Sequence, residues 1–111
     1  MLKGAFDGDD LQDARDKASR YRTEFVDLTG YRIGDELLTK IPVELMFRYN
    51  FVPLEETPNG KLAIAIADPS QLLMIDEISL LSGRAIVARV STLRQISAVL
   101  KETEAERRKY E

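Results

Sequence analysis

Residues 61–83 read KLAIAIADPSQLLMIDEISLLSG, and the organisation of the whole chain follows from them. Large and small apolar residues alternate strictly, with Leu62, Ile64 and Ile66 on one side and Ala63, Ala65 and Ala67 on the other. Because both sides are apolar, the pattern predicts a strand over 61–67 that is covered on both faces. Asp68 and Pro69 end it. Proline fixes its own φ and donates no hydrogen bond, while the Asp side chain can accept from the free amides of a first helical turn. A helix is therefore expected from Pro69. Leu72, Ile75, Ile78 and Leu81 recur at every third position along it, with Met74 on the same side, as the face toward the sheet. Ser82-Gly83 supplies the left-handed stop.

Working outward on the C-terminal side, Ala85 to Val90 is rich in β-branched residues and reads as another strand. A strand, helix and strand at this spacing form a right-handed crossover, which places 85–90 parallel to 61–67. Thr92 and Gln95 have the spacing of a capping box, and Leu93, Ile96, Val99 and Leu100 line one face of the helix that follows. Beyond Lys101 the run KETEAERRKYE has little to bury, so Arg107-Arg108-Lys109 reads as a solvated helix end.

On the N-terminal side, Asn59-Gly60 is a hairpin signal, and Phe51-Val52-Pro53-Leu54 is extended, with Pro53 confining it to an edge. Ile41-Pro42 starts a helix over Val43 to Tyr49, for which Asn50 is the stop, and a brief helical turn precedes it at 34–40. Phe25, Val26 and Leu28 form a short extended segment closed by Thr29-Gly30. Asp9 and Gln12 have capping-box spacing ahead of a thin apolar stripe at Leu11, Ala14, Ala18 and Tyr21, which predicts a helix over 10–22. The expected fold is α+β, in the order ααββαβα: a small three-stranded mixed sheet, central strand 61–67, packed by helices. A single domain spanning 1–111 is expected, with 1–8 and 102–111 as poorly ordered ends.

Composition removes most chemistry. The chain has 111 residues, 44% apolar and 32% charged, which suits one globular domain rather than a disordered segment. It contains neither Cys nor His, which excludes zinc sites built on those residues, the Ser-His-Asp and Cys-His nucleophile systems and the commonest general base. No cofactor or metal is expected. A net charge of -3 argues against nucleic acid as a partner. No apolar run is long enough to span a bilayer, and the start MLKGAFDGDD turns acidic too early for a secretory signal. A cytoplasmic protein is expected. Neighbouring carboxylates at Glu55-Glu56 and Asp76-Glu77 point to different faces and make poor acid-base pairs, and Tyr21, Phe25, Phe47 and Tyr49 read as core and rim rather than a base-stacking platform.

The ordered set Ile41-Pro42, Tyr49, Val52-Pro53-Leu54, Gly60, Ala67-Asp68-Pro69, Ile75, Ile78 and Gly83, with FVDLTGYRI upstream at 25–33, resembles a known family. It is similar to the N-terminal domain of the assembly ATPases of type II secretion and type IV pili, the GspE N-terminal or MshEN-like domain, over roughly 20–100. The resemblance implies a non-catalytic module that docks to the cytoplasmic part of an inner-membrane component and, in some members, binds cyclic di-GMP. No hydrolysis of nucleotide is expected, because the Gly60-Lys61 pair is followed by Leu62 in a strand, where a phosphate loop needs Ser or Thr opening a helix.

In the binding members the ligand is held by paired helical motifs that begin Arg-Leu-Gly and end in Ala-Leu-x-x-Gln. Arg32-Ile33-Gly34, followed by Leu37-Leu38, resembles such a start, so Arg32, Gly34 and Leu38 are the residues an alternative cyclic di-GMP-sensing reading would use. Ile41-Pro42 interrupts the motif, no Gln follows at the required distance and there is no second copy. Arg32 as a surface charge and Gly34 as a helix-entry residue is the simpler account.

Docking points elsewhere. On the 69–82 helix, Leu73 and Leu80 fall away from the sheet-facing stripe, with Asp76 and Glu77 between them. Either a second helix, such as that at 10–22, covers these leucines, or they form an apolar patch with an acidic rim for a protein partner.

Overall fold

Strand β2 (Leu62–Ile66) is buried at every position and lies at the centre of a three-stranded sheet, as its two-sided apolar pattern requires. The structure, a computed structural model, describes residues 2–109, with side chains from Asp10 onward. The expected cap from the Asp9 side chain, and residues 1, 110 and 111 of the expected ends, lie outside the described residues. Strand β1 (Val52–Glu56) pairs antiparallel with β2, and β3 (Ile86–Val90) pairs parallel with it, the arrangement the sequence predicts. The β1 register shifts between Pro53 and Glu55, beside the proline that cannot donate to a ladder. The hairpin closes through Thr57–Lys61: Gly60 donates its N–H to the Thr57 carbonyl at 2.9 Å with φ 81°, a conformation glycine adopts without strain.

Three helices, not two, precede the sheet: α1 (Leu2–Arg20), α2 (Asp35–Lys40) and α3 (Val43–Tyr49). The brief turn expected at 34–40 is a full helix, pinned by buried Leu37, and Pro42 enters α3 while Asn50 closes it in the left-handed region. Helix α1 begins well before residue 10, so the helix expected over 10–22 is longer at its start and shorter at its end. It lays Ala14 and Ala18 against Val90 and Phe25. Phe25 bridges Val90, Val26 donates its N–H to the Val90 carbonyl at 2.8 Å and Val90 donates to Glu24 at 2.9 Å, so this short segment caps one end of the β3 edge.

Helix α4 (Leu72–Ser82) starts later than Pro69. Asp68 accepts from the Ser70 N–H at 3.0 Å and from its hydroxyl at 2.6 Å, a local turn that consumes the acceptor expected to cap the helix. Gly83, at φ 72°, ends α4 as expected. Only part of the period-three stripe faces inward: Ile78 is fully buried and Met74 and Ile75 pack on the core, whereas Leu72 and Leu81 are exposed. A step of three residues turns a helix by ~300°, so the stripe drifts ~60° per step, and its two ends lie ~180° apart around the axis.

Helix α5 (Leu93–Lys109) buries Ile96, Val99 and Leu100 against the sheet, leaving Leu93 exposed. It stays helical through the charged run, tied back by Arg32–Glu106 and by Arg107–Glu44 at 3.1 Å. The core between these layers is built from Leu28, Met46, Phe51, Val52, Ile64, Ile66, Ile78, Ile96 and Leu100.

Candidate functional site

Two surfaces stand out, and the outer face of α4 is the more unusual. At ~100° per residue, Ile78, Met74 and Ile75 occupy the inward side, and the opposite half-circumference carries Leu72, Asp76, Leu80, Leu73, Glu77 and Leu81 in angular order. The relative exposures of Leu72, Leu73, Leu80 and Leu81 are 67%, 81%, 82% and 57%. Helix α1 packs on β3, and among the described residues nothing covers Leu73 or Leu80, so the expectation that a second helix lies over them is not met. Glu77 accepts a hydrogen bond from the Tyr49 hydroxyl at 3.2 Å, and among the described residues the Asp76 side chain has no partner. No base lies on α4.

The second surface is a groove of about 530 Å3 between the 31–35 segment, α2, α3 and α5. It brings Arg32 and Leu38 together, with Gly34 beside them in chain. Ile33 and Leu37 are buried in the core, and Gly34 has φ −64°, a value open to any residue. Both guanidiniums of the groove are paired, Arg32 with Glu106 and Arg107 with Glu44. The Glu44 carboxyl is held below its ordinary value first by its own backbone N–H and then by Arg107. Against Arg32 and Arg107 stand Asp35, Glu44, Glu102 and Glu106, so the lining is net acidic and opposes a bis-phosphate ligand. Tyr31 forms one wall; its hydroxyl donates to the Pro53 and Leu54 carbonyls at 3.1 and 3.2 Å, and burial, then Glu55, raises its pKa.

A family model, described as MshEN domain, matches residues 21–109. The chain belongs to the MshEN domain family. Helix α1 lies ahead of the matched region, which takes in α2 through α5. The fold of this MshEN domain is similar to two solved structures of the N-terminal domain of XpsE, with TM-scores of 0.66 and 0.65, 19% and 20% identity, and coverage of 83% of this chain in each case. It is also similar to MshE with cdg, with a TM-score of 0.66 and 15% identity over 78% of this chain. The chain spans 64%, 65% and 62% of those three chains. No curated protein sequence gives a match.

Of the residues singled out from sequence, Leu73, Asp76, Glu77 and Leu80 share one exposed face of this MshEN domain. Leu72 and Leu81 belong to that face too, although the period-three count places them toward the sheet; a helical wheel separates them. The carboxylates of the groove gave no sequence signal, since Glu106 lies 74 positions from Arg32. Among the described residues, no helix is long and apolar enough to cross a membrane and no cluster of carboxylates is arranged to hold a metal ion.

Proposed function

We propose that this MshEN domain is a non-catalytic docking module of a type II secretion or type IV pilus assembly ATPase, engaging the cytoplasmic part of an inner-membrane component through the outer face of α4. Family membership supports the setting, and the exposed leucine face with acids at its middle supports the docking role. It works in the cytoplasm, held at the membrane only through its partner. Leu73, Leu80, Leu72 and Leu81 supply the apolar contact, and Asp76 and Glu77 supply charge selection.

Calorimetry against the purified cytoplasmic domain of an inner-membrane secretion or pilus component from the same organism tests this. Saturable binding is expected, lost in the Leu73→Ala/Leu80→Ala variant while the melting temperature stays nearly unchanged. Undiminished binding by that variant overturns the role of α4. Hydrolysis of ATP by the pure protein, lost on Lys61→Ala, would contradict the non-catalytic part.

A second reading, cyclic di-GMP sensing through Arg32, Gly34 and Leu38, draws on the family and on the likeness to MshE with cdg, together with the meeting of Arg32 and Leu38 at one groove. The net acidic lining weighs against it. Titration with cyclic di-GMP decides: saturable binding abolished by Arg32→Ala supports sensing, and no binding supports docking alone.

A further inference from the structure

The exposed face of α4 has an internal symmetry that specifies what fits it. Leu72-Leu73 and Leu80-Leu81 stand at equal distances from a midpoint between Asp76 and Glu77, so the face reads leucine pair, acid pair, leucine pair along ~14 Å of helix. We infer, resting on the docking reading, that its occupant is an amphipathic helical segment of a protein partner carrying Arg or Lys at its centre and apolar residues a turn to either side.

Three occupants compete for an exposed leucine face: a second copy of this chain, an anionic membrane and a segment of another protein. A second copy packed about a two-fold axis would run its α4 antiparallel to the first, setting Leu72 against Leu81, Leu73 against Leu80 and Asp76 against Glu77. Apolar contacts at both ends would then enclose four carboxylates around the axis, and like charges brought together out of water oppose association. Anionic lipid headgroups meet the same two carboxylates and are repelled by them. A helix with bases at its centre reverses the sign of both objections.

Among the described residues the Asp76 side chain makes no ion pair or hydrogen bond and the Glu77 carboxylate is held by the neutral Tyr49 hydroxyl, so neither acid has a cationic partner there. Arg48 lies over the Tyr49 ring and Arg84 pairs with Glu56. The symmetry also means that the leucines alone do not fix the direction of the bound helix. The tie between Glu77 and Tyr49 is what makes the two halves inequivalent.

Two labelled helical peptides of identical apolar pattern, leucine pairs flanking Arg-Arg in one and Glu-Glu in the other, are titrated into the whole protein by fluorescence anisotropy. The Arg peptide is expected to bind at least about tenfold tighter, a preference that shrinks with salt. The Asp76→Lys/Glu77→Lys variant is expected to prefer the Glu peptide. Equal binding of both peptides, lost on Leu73→Ala/Leu80→Ala, overturns the charge selection and leaves the docking reading standing. Binding of neither peptide overturns the inference, and the calorimetry against the inner-membrane component then judges the docking reading by itself. Co-flotation with phosphatidylserine vesicles, or a leucine-dependent dimer in analytical ultracentrifugation, overturns it in favour of the other occupants.

Discussion

The side-chain carbonyl of Gln95 accepts the backbone N–H of Leu28 at 2.8 Å, joining the first turn of α5 to a loop 67 positions earlier in the chain. The spacing of Thr92 and Gln95 predicts a reciprocal capping box, and half of it forms: Gln95 donates its backbone N–H to the Thr92 hydroxyl at 3.0 Å. The other half is redirected. The Gln95 amide nitrogen donates to Asp27 at 3.2 Å, and its oxygen also accepts from the Ser91 hydroxyl at 3.0 Å. Gln95→Ala therefore leaves the Leu28 amide without its acceptor in a part-buried position, and a loss of about 1–3 kcal/mol in urea unfolding is expected. Thr92→Ala removes only the cap and should cost about 1 kcal/mol. If Gln95→Ala costs less than Thr92→Ala, the cross-chain tie is not what holds the loop.

Acid should weaken the fold through two turn aspartates. Hydrogen bonds from Thr29, backbone first, hold the Asp27 carboxyl below its ordinary value, and those from Ser70, side chain first, do the same for Asp68. A carboxyl with a depressed folded pKa contributes stability that is fully present above the unfolded value of about 3.9 and is lost as pH falls through the folded one. The melting temperature is expected to fall as pH drops below about 4, and Asp27→Asn with Asp68→Asn should flatten that slope. An unchanged slope in the double variant removes these two turns from the acid response.

The two glycines at helix boundaries should respond differently to alanine. Gly83 closes α4 at φ 72°, where a side chain is strained, so Gly83→Ala is expected to cost about 1 kcal/mol. Gly34 enters α2 at φ −64° with open space where a Cβ would sit, so Gly34→Ala should change stability by less than about 0.5 kcal/mol. A large loss at Gly34 would show that the glycine of the Arg32-Ile33-Gly34 motif has a structural demand that its backbone does not reveal.

Much of the fold was legible because it rests on local pattern. The two-sided alternation of Leu62 to Ala67 fixed the central strand, Pro53 fixed the edge, and the crossover rule fixed the direction of β3. Where pattern and structure differ, a side chain had two competing uses. Asp68 could cap α4 or close its own turn with Ser70, and the turn won; Gln95 could complete a cap or reach a distant amide, and the distant amide won. The groove around Arg32 was illegible for another reason, since its lining comes from segments brought together only by tertiary packing.

The sharpest prediction separates the two faces of α4. Ile78 is fully buried among core residues, and Ile78→Ala is expected to cost about 2–5 kcal/mol from lost burial and the cavity left behind. Leu73 and Leu80, a heptad apart on the outer face, retain 81% and 82% of their exposure. Truncating them removes little buried surface, so each alanine should cost less than about 0.5 kcal/mol and the double variant less than about 1 kcal/mol. A covering helix over these leucines would demand the opposite, a loss of about 2–5 kcal/mol at each. Chemical denaturation of the Ile78→Ala protein beside the Leu73→Ala/Leu80→Ala protein decides it. A similar large loss in both would place the leucines in a core and remove α4 as a docking surface. A loss confined to Ile78 means that the outer leucines add an aggregation hazard without adding stability to the free domain, the outcome the docking proposal expects.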